Sequence, residues 1–245
     1  MLARLATLSL ALVPAVLAAQ EIEDQFPISR FPERLRFGLH GIGTRPLGDF
    51  GRAVDGGAWG LGGELRLTVD RPGWLAVRVD GGYNAYGRNR RTLGAPQGFD
   101  PFFTSGPGAS QLVSDNTMAT LMAGLELAVP TGALRPYVHA MAGGSYFQTS
   151  TRLVAPAVPT ANDVAATNLE DWVGSGAVGG GVRLALARNR TGTTLLDVGA
   201  RRWFTGPTRY ATAAAPPAGL AGPAPALRTR TDAWAITVGV SFAPR

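Results

Sequence analysis

Three groups of residues in this chain have the types that perform chemistry. Gly174-Ser175-Gly176-Ala177-Val178-Gly179 carries the glycine spacing of a dinucleotide-binding turn, and His40 and His139 are the only imidazoles. Five arginines, Arg36, Arg66, Arg78, Arg183 and Arg201, stand near four carboxylates, Glu64, Asp80, Glu126 and Asp197, in short alternating segments. Each group has a non-catalytic reading that fits its surroundings better. A dinucleotide turn needs a strand before it and a helix opening at it, whereas here alternation continues through Gly180, Gly181, Val182 and Leu184. The glycines therefore read as places where neighbouring strands or a bulky side chain approach closely. Two histidines supply too few ligands for a metal, and they read as hydrogen-bonded interior side chains. The arginines and carboxylates read as an ion-pair network, because charges removed from water need partners and these supply one another. No cofactor, no metal and no enzymatic activity are expected.

The elements that position these residues are strands. In Trp234-Ala235-Ile236-Thr237-Val238-Gly239-Val240-Ser241-Phe242 every second residue is large and apolar and those between are small or polar, the period of a strand with two unlike faces. The same signature predicts strands at 35–44, 59–70, 74–86, 116–129, 135–147, 172–186, 193–204 and 233–243. Three connections are brief and rich in Gly, Pro or Asn: 70–73, 130–134 and 187–192. The other four, about 45–58, 87–115, 148–171 and 205–232, are long. Strict alternation of short turns and long loops predicts an eight-stranded antiparallel up-and-down transmembrane β-barrel, all-β in class, with the long loops outside the cell.

Composition agrees with that placement. Residues 1–19 read as a signal peptide, with Arg4 as the charged region and 5–17 as an apolar core too short to cross a bilayer as a helix. Residues 20–34 read as a periplasmic N-terminal arm, and 35–245 as the barrel. The chain has no cysteine, so no disulfide framework or acylated cysteine is available. It holds 33 glycines and 18 prolines, which suits tight turns and close strands rather than helices. All its basic residues are arginine and they are scattered, so no nucleic-acid partner is expected.

Parity sorts the faces. One set contains Leu35, Phe37, Leu39, Leu61, Leu65, Leu67, Leu75, Val77, Val79, Leu121, Leu125, Leu127, Val138, Val178, Val182, Leu196 and Val198, with almost nothing charged. The alternate set contains the five arginines, the four carboxylates and both histidines. If that set faced hydrocarbon, the five arginines alone would cost about 2 to 4 kcal/mol each near the midplane. A soluble, periplasmic lipocalin-like ligand-binding barrel is the competing arrangement, with the apolar set enclosed instead. Aromatic placement favours the membrane: Trp59, Tyr83, Tyr146, Trp172, Phe204 and Trp234 share the apolar parity and lie at the strand ends beside the long loops, as an outer girdle requires. Phe37 and Phe242 are the candidates for the opposite rim.

In these features the mature chain resembles small bacterial outer-membrane β-barrel proteins of the OmpA/OmpX-like type. The resemblance implies a Gram-negative cell envelope, residence in the cell outer membrane, contact with its lipid and lipopolysaccharide, and a monomer inserted by the barrel-assembly machinery. That machinery is expected to read the final strand, although here the chain runs on through Ala243-Pro244-Arg245. Eight strands enclose an interior that side chains fill, so a structural or surface-interaction role is expected rather than a general porin. Some barrels of this type modify lipid A, but no His, Ser and carboxylate set shares the outward parity near the outer rim. Arg88, Arg90 and Arg91 open the second long loop, ahead of Phe99, Phe102 and Phe103, and are candidates for lipopolysaccharide phosphates. Arg209, Arg228 and Arg230 bracket a fourth loop whose stretch 211–226 reads as disordered.

Overall fold

The structure, a computed structural model, describes residues 33–54, 57–92, 111–154, 165–211 and 226–244. The signal peptide, residues 20–32 of the arm, and Phe99, Phe102 and Phe103 lie outside the described residues. In chain order the elements are β1 (Leu35–Pro46), α1 (Gly48–Val54), β2 (Ala58–Thr68), β3 (Leu75–Thr92), β4 (Gln111–Ala128), β5 (Leu134–Val154), β6 (Ala165–Arg188), β7 (Gly192–Thr205), β8 (Pro207–Ala211), β9 (Ala226–Arg230) and β10 (Ala233–Pro244).

Eight of these strands close into a barrel in the order β1-β10-β7-β6-β5-β4-β3-β2, while β8 and β9 form a separate hairpin. Every barrel pair is antiparallel, and closure is made by β1 and β10 over ten residue pairs from Phe37↔Phe242 to Pro46↔Ala233. The short turns have local causes. Gly73 and Gly132 take φ of 89° and 97°, a left-handed conformation that side chains disfavour. The Asp70 carboxylate accepts the N–H groups of Trp74 and Leu75, each at 3.0 Å, and Asn189 Oδ1 accepts those of Thr191 and Gly192 at the same distance. Such side-chain acceptors replace ladder bonds that the turn cannot make.

The four central strands run further than hydrophobic alternation indicates. β3 reaches Thr92, β4 starts at Gln111, β5 reaches Val154 and β6 starts at Ala165, so the second and third long loops are shorter than the sequence pattern implied. Beyond the girdle these strands are rich in Thr, Ser, Asn, Gln and Arg, and their hydrogen-bonded ladder persists where apolar alternation has stopped. The first long connection contains α1, and the fourth contains the β8–β9 hairpin, in which Arg209 pairs with Arg228 and Ala211 with Ala226. Those two alanines are therefore strand residues, and 212–225 lie outside the described residues.

The faces divide as parity dictates. Leu39 is 76 % exposed and Leu61, Leu121, Val138 and Ile236 stand out from the wall beside it, while Arg36, Glu64, Arg66, Arg78, Asp80, Glu126, Arg183, Asp197 and Arg201 are buried within. The calyx arrangement, with the apolar set enclosed, is overturned by these exposures. The interior has two zones. The half nearest the short turns is ionic; the half nearest the long loops holds Ile42, Met118, Met122, Met141, Phe147 and Trp203.

Candidate functional site

Glu126 sits at the centre of the ionic zone with 0 % exposure. Its Oε1 accepts from Arg66 Nε and Arg183 Nη1 at 2.7 Å and from Arg36 Nη2 at 3.3 Å; its Oε2 accepts from Arg183 Nη2 at 2.7 Å and Arg78 Nη1 at 3.1 Å. The register explains why one carboxylate gathers four guanidinium groups. Arg36 lies directly opposite Arg66, and Arg66 directly opposite Arg78, so three like charges stand side by side on β1, β2 and β3. Adjacent like charges repel, and Glu126 on β4 supplies the shared acceptor. Arg183 reaches it bidentately, the arrangement that makes a guanidinium–carboxylate pair strong and directional.

The network continues from there. Arg78 Nη2 lies 2.6 Å from Glu64 and 3.0 Å from Asp80, Arg201 Nη1 lies 2.6 Å from Asp80, and Arg183 Nε lies 2.7 Å from Asp197. All nine charged positions singled out from the sequence are thus linked in one set of contacts. Three participants were not singled out. Tyr137 donates to Asp197 at 2.7 Å while the Arg183 guanidinium lies 3.8 Å from its ring centroid. Its space is made by Gly181 and Gly199, where an added Cβ would come within 2.7 and 2.6 Å of the phenol oxygen. Arg135 Nη1 lies 2.7 Å from Glu33 at the inner mouth, the one arm carboxylate among the described residues. Tyr137 and Arg135 share the interior parity of His139, but Tyr137 carries no charge and Arg135 is the first residue of its predicted strand, where alternation has barely begun.

The histidines differ from expectation. Both face the interior, but His139 has neither ring nitrogen hydrogen-bonded among the described residues and instead stacks on Tyr137 at 5.9 Å. His40 Nε2 is 3.9 Å from Asp80, beyond a hydrogen bond, and is also unpartnered there. The stretch 174–179 lies inside β6, whose ladder runs through it without a break.

Above the ionic zone the Arg201 guanidinium lies 4.9 Å from the Trp203 ring, the junction with the apolar half. Phe50 of α1 closes that half, packing edge-on to Tyr210 of β8 at 4.9 Å, Tyr86 at 5.7 Å and Phe147 at 6.3 Å. The hairpin is pinned by Asp171, which accepts from the Arg209 N–H at 2.7 Å and the Thr208 hydroxyl at 3.0 Å. The Arg209 N–H, with help from Thr208, holds the Asp171 carboxyl below its ordinary value.

On the outside, Trp59, Tyr83, Trp172 and Trp234 are exposed, with Trp59 at 72 %. Tyr146 is partly covered by Trp172, 4.8 Å away, and Phe204 by the Arg202 guanidinium at 5.2 Å. All six belong to the outward-facing parity near the long connections. At the other rim Phe37 meets Phe242 at 5.6 Å, and exposed Trp74 stands at the same end. Arg88 and Arg90 owe their direction to a bulge: the β3–β4 register shifts between Ala85 and Gly87, which turns even-numbered residues from the interior to the exterior. Arg88 Nε pairs with Asp115, which Arg152 also approaches at 3.6 Å, and Arg90 is exposed. The side chain of Arg91 lies outside the described residues.

This geometry defines a class: a closed, eight-stranded, antiparallel up-and-down barrel with a charged interior and an apolar exterior. Solved structures similar to the chain are of that architecture. They include neisserial surface protein A (14 % identity, TM-score 0.46, 89 % of this chain and 99 % of that one) and Ail, the attachment invasion locus protein of Yersinia pestis, in complex with the heparin analogue sucrose octasulfate (10 %, 0.41, 85 % and 96 %). The N-terminal β-barrel domain of Pseudomonas aeruginosa OprF is a third (13 %, 0.36, 84 % and 96 %). No family model and no curated protein sequence matches the chain.

Proposed function

We propose that this protein is an integral outer-membrane barrel with a structural or surface-interaction role, its interior filled by side chains so that it is not a general porin. One observation carries the reading: leucines, valines and girdle aromatics are exposed around the wall while ten charged residues are buried inside it among the described residues. A soluble protein has no reason to present a continuous apolar cylinder to water, and a bilayer demands one. Ion pairs that cross the interior from β2, β3 and β4 to β6 and β7 support a filled interior. The reading assigns no catalytic role, and lipid A from cells with and without the gene is expected to show the same acyl pattern by mass spectrometry.

The deciding experiment is cell fractionation with gel migration before and after heating. The protein is expected in the outer-membrane fraction, extractable only with detergent, and its band is expected to shift on boiling as a closed barrel unfolds. Recovery in the soluble fraction without detergent would sink the reading.

The surface role rests on the outward basic positions. Arg88 and Arg90, with Arg91 beside them in sequence, lie beyond the girdle where lipopolysaccharide phosphates reside, and a guanidinium fork suits phosphate. Neutralising Arg88, Arg90 and Arg91 together is expected to reduce lipopolysaccharide association in native mass spectra; undiminished association would remove this assignment.

A further inference from the structure

We infer that the notch between β2 and β3, just above the girdle, is a seat for a single phosphate-bearing lipid, an inference that rests on the membrane reading. The register of β2 with β3 ends at Trp59↔Ala85, while β3 continues to Thr92, so above that level β3 has no neighbour on this side among the described residues. There the wall opens into a groove of about 580 Å³, within the size range of small-molecule sites. Val54 and Gly57 form one side, the Trp59 and Tyr83 rings the lower lip, and Tyr86, Gly87 and Asn116 the floor.

Asn116 is the informative residue. It is 1 % exposed, and Thr149 Oγ1 donates to its Oδ1 at 2.8 Å, which fixes the amide so that its oxygen is occupied. Nδ2 is left with no partner among the described residues, and buried amide donors without partners are costly. The bulge glycine, Gly87, lies directly opposite, and a Cβ there would come within 3.1 Å of Nδ2. Glycine there leaves out the Cβ that would press on that enclosed donor. At the mouth, Arg88 and Arg152 share the carboxylate of Asp115, so among the described residues this corner holds one more guanidinium than carboxylate. The groove therefore offers donors and that extra guanidinium above, and two exposed aromatic rings below at the level where a headgroup meets its acyl chains. A phosphate oxygen suits Arg88 at the mouth, an ester oxygen entering over Gly87 suits Asn116, and an acyl chain suits the faces of Trp59 and Tyr83.

The test uses the full mature barrel in detergent, stripped of lipid and shown by its heat-shifted band to be folded. Native mass spectra are recorded with dipalmitoyl phosphatidylethanolamine and, separately, with the diacylglycerol that lacks its phosphate. One phospholipid is expected to stay bound per barrel, with retention reduced about tenfold by Asn116→Leu and by Trp59→Ala, and diacylglycerol is expected to be retained poorly. Trp172→Ala, a girdle change outside the groove, is expected to leave retention intact. Equal loss in Trp59→Ala and Trp172→Ala would show general annular binding and overturn the site, and equal retention of diacylglycerol would overturn the phosphate contact. A protein soluble without detergent would instead overturn the membrane reading itself, so the two failures are distinct.

Discussion

The two halves of the interior are built on opposite principles. Toward the short turns, Glu126 gathers Arg36, Arg66, Arg78 and Arg183 in charge-assisted hydrogen bonds. Toward the long connections, Phe50, Tyr86, Phe147 and Tyr210 meet ring edge to ring face over a floor of methionines. The ionic half is held by barrel strands, with Glu33 of the arm added at its mouth, and has one specific geometry. The apolar half is completed by pieces inserted from connections, α1 and β8, and depends on shape. Breaking a charge set leaves unpaired ions in a closed space, whereas removing a ring leaves a gap that its neighbours can partly fill.

The largest effect is therefore expected from Glu126→Leu. Four guanidinium groups lose a shared acceptor, and removal of one partner from a buried pair costs about 3 to 5 kcal/mol. The melting temperature of the barrel in detergent, followed by its heat-shifted band, should fall clearly, and Asp197→Leu should lower it less. Unchanged melting in both variants would show that the network does not hold the barrel. Phe50→Ala should act locally: a buried Phe→Ala change costs about 3 to 5 kcal/mol, here borne by the cap. Proteolysis should cut near α1 and the β8–β9 hairpin while the barrel core keeps its band shift; loss of that shift would mean that the cap and the wall are one cooperative unit.

A smaller effect comes from Asp171. Its carboxyl titrates below its ordinary value because it accepts the Arg209 N–H, so the contribution to docking the hairpin is present above the free-carboxylate value of about 3.9 and is lost as pH falls through the lowered folded value. Amide exchange of β8 and β9, corrected for intrinsic rates, should show protection falling below about pH 4, with Asp171→Asn reducing protection already at neutral pH. Protection that does not change with pH or with the substitution would release the hairpin from Asp171.

The difference between the halves also explains what the sequence made legible. Charged residues alternating with leucine and valine report their face directly, because hydrocarbon penalises the reverse assignment; Arg66, Arg78 and Arg183 could be placed inside from parity alone. Met118, Met122, Met141 and Trp203 share that interior parity but are apolar, so a sort by charge did not register them as a distinct layer. Strand ends were obscured for a related reason: beyond Phe147 the ladder of β5 runs on through Thr149 and Thr151, both buried, where no apolar period marks it. The pairing of Glu126 with four arginines from four other strands was not readable, since it depends on barrel closure and register rather than on spacing along the chain. The outward turn of Arg88 depends on a bulge at Ala85/Gly87 that simple parity cannot anticipate.

The orientation of the wall can be measured through the chain's own tryptophans, of which Trp172 stands outside and Trp203 inside. Two variants, each keeping one of these and replacing the other four of the five tryptophans with phenylalanine, are reconstituted in bilayers containing brominated phospholipid. Fluorescence of the lone Trp172 should be strongly quenched, most by bromines nearest the headgroup, and that of the lone Trp203 should be unaffected. Quenching of Trp203 in preference to Trp172, or no quenching of either, would contradict a barrel that turns its apolar face to lipid.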